Sequence, residues 1–304
     1  MHAHGTMNHA PHGSSAADEK IDERVDEAVA ESFPASDAPS WNATHAGGPA
    51  PYWETTGHAA ELRGQLRGDL DALGQWVADK GQRIFLREEF VARTMLDAGP
   101  AVVREPLDGP HGVRNVESAL GGVVRGAPCV VLATRYDDAD ATRVAMLLAV
   151  VRALAGARLA RPLRFAAIAD SAKTSGAARY AERLSSAGTR VKTLVFVGAM
   201  PLSRTRPGRV GIAGDMRSVL AVAAAGDAFQ QASRLPSRVL HRPSFWPTFP
   251  RKDMSALRRL RVPIVVLTDL GSGPAPSRPP DVDRMAAAVP GLVAIIERLG
   301  GGRL

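Results

Sequence analysis

Charged residues gather at the ends of apolar runs in this 304-residue chain, and strand ends are where an open α/β sheet places its ligands. Cys129 to Thr134 is followed by Arg135-Tyr136-Asp137-Asp138-Ala139-Asp140, and Leu163 to Ala169 by Asp170-Ser171. Thr193 to Val197 leads into Gly198-Ala199-Met200, while Arg251-Lys252-Asp253-Met254 stands ahead of the run that begins at Pro263. Carboxylates brought together in this way can hold a metal ion or exchange protons, but Asp at a strand-to-helix turn is also an ordinary N-cap. Capping or ion pairing is the favoured reading of Asp137, Asp138, Asp140 and Asp170. Arg135 has no lone pair for a metal, so its expected role is an ion pair with Asp137 or Asp170. Of the eight histidines six precede residue 60, and the other two are His111 and His241, so they supply no ligand set. The single cysteine, Cys129, has no partner for a disulfide or a CxxC site and reads as a small core residue.

The elements that must position these residues follow from hydrophobic periodicity. From His58, Leu62, Leu66, Leu70, Leu73, Trp76 and Val77 fall on one helical face, and a second amphipathic run covers Phe85 to Leu96. Extended runs are expected near residues 101, 113, 129, 163, 193, 209 and 263. Helices are expected over Thr142 to Ala155, Gly176 to Ser186, Arg217 to Arg234, Met254 to Leu260 and Val282 to Leu299. Strand and helix in alternation predict a three-layer αβα domain, 56–304, with a mixed, mostly parallel sheet. Residues 1–55 lack sustained periodicity and read as a disordered acidic tail and linker, apart from a short helical pattern over Ile21 to Ser32. No mechanism attaches to its Glu31 to Trp41 segment or to His2, His4, His9 and His12.

The formal charge of +7 conceals an asymmetry, because residues 1–55 hold nine acids and two bases. The tail is −7 and the remainder +14. The bases Arg204, Arg206, Arg209, Arg251, Lys252, Arg258, Arg259 and Arg261 read as a solvated basic face, since aromatics at 5% leave few stacking partners for single strands. Apolar runs are too short to span a membrane, and no secretory signal is visible. A soluble, cytoplasmic protein is expected, with an unidentified protein or peptide as partner rather than a membrane or nucleic acid. Trp246, in Pro243-Ser-Phe-Trp-Pro-Thr-Phe-Pro250, is either a pocket wall or loop packing.

From about Phe90 to Leu299 the chain resembles the co-catalytic zinc aminopeptidases, the family that includes glutaminyl cyclases and the transferrin receptor ectodomain. Arg114-Asn115-Val116-Glu117 is similar to that family's strand entry of the Asn-Val type. Val131-Leu-Ala-Thr-Arg-Tyr-Asp137 resembles the strand ending in His-Tyr-Asp, and Arg164 to Ala181 the segment with a Glu-Glu pair, Gly and Tyr-Ala. Lys252-Asp-Met-Ser-Ala-Leu-Arg-Arg-Leu-Arg-Val-Pro263 resembles the Ser-Asp-His segment that precedes Gly-Ile-Pro. The resemblance implies a phosphorylase/hydrolase-like αβα fold and a site at the carboxyl edge of the sheet. There the family uses two zinc ions and a bridging water.

Carried over position by position, that chemistry fails. Arg135 stands at the first His, Asp170 at the general-base Glu, Ser171 at a metal-binding Glu and Met254 at the late His. Asp137 keeps the position that orients the first ligand, and Asp138 or Asp140 would have to deliver the bridging carboxylate. The expectation is therefore no bound metal or other cofactor, and Arg135, Asp137, Ser171, Asp253 and Met254 are remnants of the pocket around Asp170. The implied function is that of a catalytically inactive relative acting by binding. The alternatives are an active peptide hydrolase with an altered metal site and a basic protein that binds nucleic acid or an acidic partner. Arg135, Asp137, Asp170 and Asp253 should converge.

Overall fold

The computed structural model describes residues 56–74, 79–99, 101–108, 112–137, 140–198, 200, 209–240, 251–270 and 280–302. The sequence features before residue 56, together with Asp138, Arg204, Arg206 and Trp246, lie outside them. Helices α1 (Thr56–Gly74) and α2 (Lys80–Asp97) come first, followed by strands β1 (Val102–Pro106), β2 (Arg114–Leu120) and β3 (Cys129–Arg135). Next come α3 (Thr142–Ala153), β4 (Leu163–Ile168), α4 (Gly176–Ser186), β5 (Val191–Val197) and β6 (Val210–Ala213). Then follow α5 (Val219–Ala232), β7 (Ser237–Leu240), α6 (Arg251–Leu257), β8 (Ile264–Asp269) and α7 (Val282–Gly300). Short 3-10 turns, Met216–Ser218 and Arg258–Leu260, occupy the start and the end of two stretches expected to be wholly α-helical. Strand β7 was not expected.

The eight strands form one sheet in the order β1-β2-β4-β3-β5-β8-β6-β7. Its centre, β4-β3-β5-β8, is parallel, whereas β1–β2, β2–β4 and β8–β6 pair antiparallel. The centre is buried on both faces, as parallel strands must be, and its runs are accordingly apolar without alternation. Alternate residues feed two cores. Val130, Leu132, Val195, Val197, Val265 and Leu267 pack with helices α1, α2, α3, α5 and α7. Val131, Ala133, Leu194, Phe196 and Val266 pack with Tyr180 and Leu184 of α4 and Met254 and Leu257 of α6. The result is the αβα sandwich. Cys129 is 4% exposed and belongs to the second core, where burial pushes its thiol up.

Sequence chemistry also fixes the helix ends. Asp79 Oδ1 accepts from the Gln82 backbone N–H at 2.7 Å and starts α2, Ser175 caps α4, and Asp281 accepts from the N–H groups of Asp283 and Arg284 at the start of α7. Among the described residues no helix is long and apolar enough to cross a membrane.

Candidate functional site

Strands β3, β4, β5 and β8 run in the same direction, so the residues after Thr134, Ile168, Val197 and Thr268 share one edge. Helix α6 brings Asp253 to the same place. The four residues expected to converge do so around the guanidinium of Arg135. Its Nε and Nη2 donate to the two oxygens of Asp137 at 3.0 and 2.6 Å, a forked pair. Its Nη1 donates to Asp170 Oδ2 at 3.1 Å and to Asp253 Oδ1 at 3.2 Å. The arginine side chain is only 16% exposed, so these contacts act with little screening.

Two of the three carboxylates are further committed. Asp170 Oδ2 also takes a bond from Lys252 Nζ at 2.7 Å, and its Oδ1 accepts from the Gly176 backbone N–H at 3.0 Å. Asp137 Oδ2 accepts from the Asp170 backbone N–H at 3.0 Å. Burial works against the charge on Asp170, yet Lys252 and Arg135 hold it below the ordinary aspartate range. At Asp253 the balance is reversed. Burial raises its pKa, and the opposing pull of Arg135 does not fully compensate. For Arg135 itself burial is outweighed by the Asp137 hydrogen bonds and the three negative charges, which fix the guanidinium as a cation.

The loop carrying Asp170 is stitched down from behind. Asn115, 1% exposed on β2, accepts from the Ala169 N–H at 3.3 Å and donates to the Gly176 carbonyl at 3.0 Å and to Glu105 at 3.1 Å. A Cβ at position 176 would sit 1.9 Å from the Ala169 carbonyl oxygen, so only glycine lets the loop close on itself.

Two groups that the strand ends did not reveal join the site. Arg143, on the first turn of α3 and 6% exposed, interacts with Asp137 and Asp253; burial and the neighbouring Arg135 lower its pKa to about 10. Lys252, grouped above with a solvated basic face, is an ion-pair partner of Asp170. Arg87 of α2, 7% exposed, lies close behind, donating to the Leu73 carbonyl at 2.7 Å and to the Tyr136 carbonyl at 3.4 Å.

The remaining expected residues are placed apart from the guanidinium. Ser171 Oγ is turned into its own loop, accepting from the N–H groups of Lys173 and Thr174 and donating to the Thr174 carbonyl. Met254 is 2% exposed within the second core. Asp140 accepts from the Thr142 N–H at 3.0 Å and the Met200 N–H at 3.3 Å, so it fastens the start of α3. A groove of about 1070 Å3 lies elsewhere, between α1, α3, α5 and α7, and touches none of the converging residues.

The two zinc ions implied by the resemblance do not fit this donor set. Asp137, Asp170 and Asp253 surround a fixed cation that would repel a metal, Ser171 faces its own turn, and Met254 is a core thioether. Among the described residues no group of three or more His, Cys, Asp or Glu side chains is arranged to hold a metal ion.

No protein-family model matches the chain, and no curated protein matches it in sequence. Solved structures do. The LapA aminopeptidase of Legionella pneumophila superposes with a TM-score of 0.60 at 10% identity, over 88% of this chain and 79% of that one. A glutaminyl cyclase of Macrostomum lignano gives 0.58 at 14% identity, over 83% and 95%. A leucine aminopeptidase precursor of Bacteroides thetaiotaomicron gives 0.56 at 11%, over 78% and 96%. The sheet order, the two helical layers and these likenesses together show that the chain has the fold of the co-catalytic zinc aminopeptidases.

Proposed function

We propose that the protein is a catalytically inactive relative of the zinc aminopeptidases that acts by binding a protein or peptide. The observation that supports this reading is the Arg135 guanidinium bonded to Asp137, Asp170 and Asp253 at once. In a di-zinc hydrolase the metals lower the pKa of a shared water. Here a side-chain cation stands at the position of the first ligand, pairs with the carboxylates at the ligand-orienting and general-base positions, and cannot activate water. Asp170, at the position of the general base, is poorly suited to that task. A base works best with a pKa near the operating pH and a free oxygen, whereas Asp170 is held below its ordinary value and accepts three hydrogen bonds.

The test is a metal analysis of the purified protein combined with hydrolysis of leucyl and lysyl anilides, with and without a chelator. The expected result is no stoichiometric zinc and no chelator-sensitive turnover. Two tightly held zinc ions per chain, or hydrolysis abolished by both chelator and Asp170→Asn, would overturn the proposal.

A further inference from the structure

The opposite edge of the sheet has a different chemistry. Five segments meet there: residues 121–128 before β3, 154–162 before β4, 187–192 at the start of β5, 257–263 before β8, and 214–220 after β6, which runs antiparallel to β8. They carry Arg125, Arg158, Arg161, Arg190, Lys192, Arg217, Arg258, Arg259 and Arg261, against a single acid, Asp215. Except for half-buried Arg161, all nine cations are exposed. Only Arg258 has an acidic partner among the described residues, Asp215 at 3.8 Å.

The segments form a continuous surface. The Val123 and Val124 N–H groups donate to the Leu159 and Ala160 carbonyls, and the Cys129 N–H donates to the Arg190 carbonyl at 2.8 Å. A small cleft of about 400 Å3 is lined jointly by Pro128, Arg190, Lys192 and Leu260. Across the six strands from β2 to β6, at about 4.8 Å per strand, the edge is roughly 25 Å wide.

Apolar side chains project from the same segments. Val123 and Val124 are 47% and 53% exposed, and Met216 and Leu220 are 83% and 75% exposed. Exposed aliphatics add nothing to phosphate recognition, and these five segments contain no aromatic residue on which a base could stack. On an anionic bilayer both features are favourable at once. Cations are drawn to the negative headgroups, and short aliphatic groups enter the boundary below them.

We propose that the amino edge of the sheet is a peripheral docking surface for an anionic lipid membrane. The expectation of no membrane contact rested on the lack of a spanning segment, and a surface of this kind needs none. The Arg and Lys side chains supply the attraction, and Val123, Val124, Met216 and Leu220 insert at the interface.

Co-sedimentation of the full-length protein with phosphatidylcholine vesicles, with and without phosphatidylserine, tests this. Binding is expected only to the phosphatidylserine vesicles and should weaken steeply with added salt. The triple variant Arg190→Glu, Lys192→Glu, Arg259→Glu should lose about a hundredfold or more in affinity, since each cation near the surface contributes roughly a factor of five. A control of equal net charge, Arg67→Glu, Arg209→Glu, Arg234→Glu, alters exposed arginines away from the five segments and should bind within about fivefold of the parent. Met216→Ser with Leu220→Ser, which leaves the charge of the surface unchanged, should weaken binding without changing its salt dependence. The proposal is overturned by equal binding to neutral vesicles, by no binding to either, or by equal losses in the two triple variants. A DNA duplex that displaces the protein from vesicles at stoichiometric amounts would also overturn it, in favour of a nucleic-acid surface.

Discussion

The two edges of the sheet carry charge in opposite ways. At the carboxyl edge, acids and bases face each other. Arg135 and Arg143, largely out of solvent, and the exposed Lys252 are set against Asp137, Asp170 and Asp253, so the charges are paired within the site. In the five segments of the amino edge, cations stand beside cations in solvent, with Asp215 as the lone acid among them. The first arrangement pays a desolvation cost and projects little field; the second projects a field and contributes almost nothing to stability. Removing a charge should therefore hurt folding at one edge and association at the other.

The largest effect on stability is expected for Arg135→Ala, which leaves three carboxylates close together without their shared cation. A loss of about 3–5 kcal/mol is expected, measured by urea unfolding. A loss below about 1 kcal/mol would mean that Lys252 and Arg143 can take over. Asp170→Asn keeps the shape but gives up charge-assisted bonds to Arg135 and Lys252, and should cost about 1–3 kcal/mol.

Acidity separates half-buried Asp170 from buried Asp253 more finely. Asp170 titrates below its unfolded value of about 3.9, so its contribution is present above that pH and is lost as pH falls through the lower folded value. Asp253 titrates above its unfolded value, so its contribution is present below about pH 3.9 and lost as pH rises through the folded value. Asp253→Asn should accordingly be less damaging at neutral pH than at pH 4. Unfolding free energies of parent and variant at the two pH values check this, and the reverse order would refute the sign. At the amino edge, Arg190→Glu alone should change stability by less than about 0.5 kcal/mol. A larger loss would show that this arginine has a structural partner.

Some of this was legible in the sequence for a simple reason. Arg135, Asp137 and Asp170 stand at the ends of apolar runs, and parallel strands bring such ends together whatever their separation along the chain. Arg143 gave no comparable signal, because a cation in the first turn of a helix looks the same whether it turns inward or outward, and Lys252, exposed as a solvated base should be, reaches Asp170 only through the fold. Strand β7 escaped notice because Ser-Arg-Val-Leu at a half-exposed edge shows no clear alternation. The amino-edge cations are spread over five short connections, from Arg125 to Arg261. Their common placement appears only once the strand directions are known, and of the nine only Arg258, Arg259 and Arg261 had been grouped as basic surface. Asn115 and Gly176 were visible as residues, but the 1.9 Å approach that requires the glycine is a property of the closed loop.

The position of β8 also constrains how the chain can be made. β5 and β6 are successive in sequence yet do not pair, because β8 lies between them. Until residues 264–269 have left the ribosome, the nascent sheet exists as two pieces, each with an open side lined by unpaired backbone amides and carbonyls. Long-range pairing of this kind is intrinsically slow, since the connecting chain must be ordered before the contact forms. Synthesis halted before Ile264 would therefore leave two adhesive strands, Val191–Val197 and Val210–Ala213, free to pair with other nascent chains.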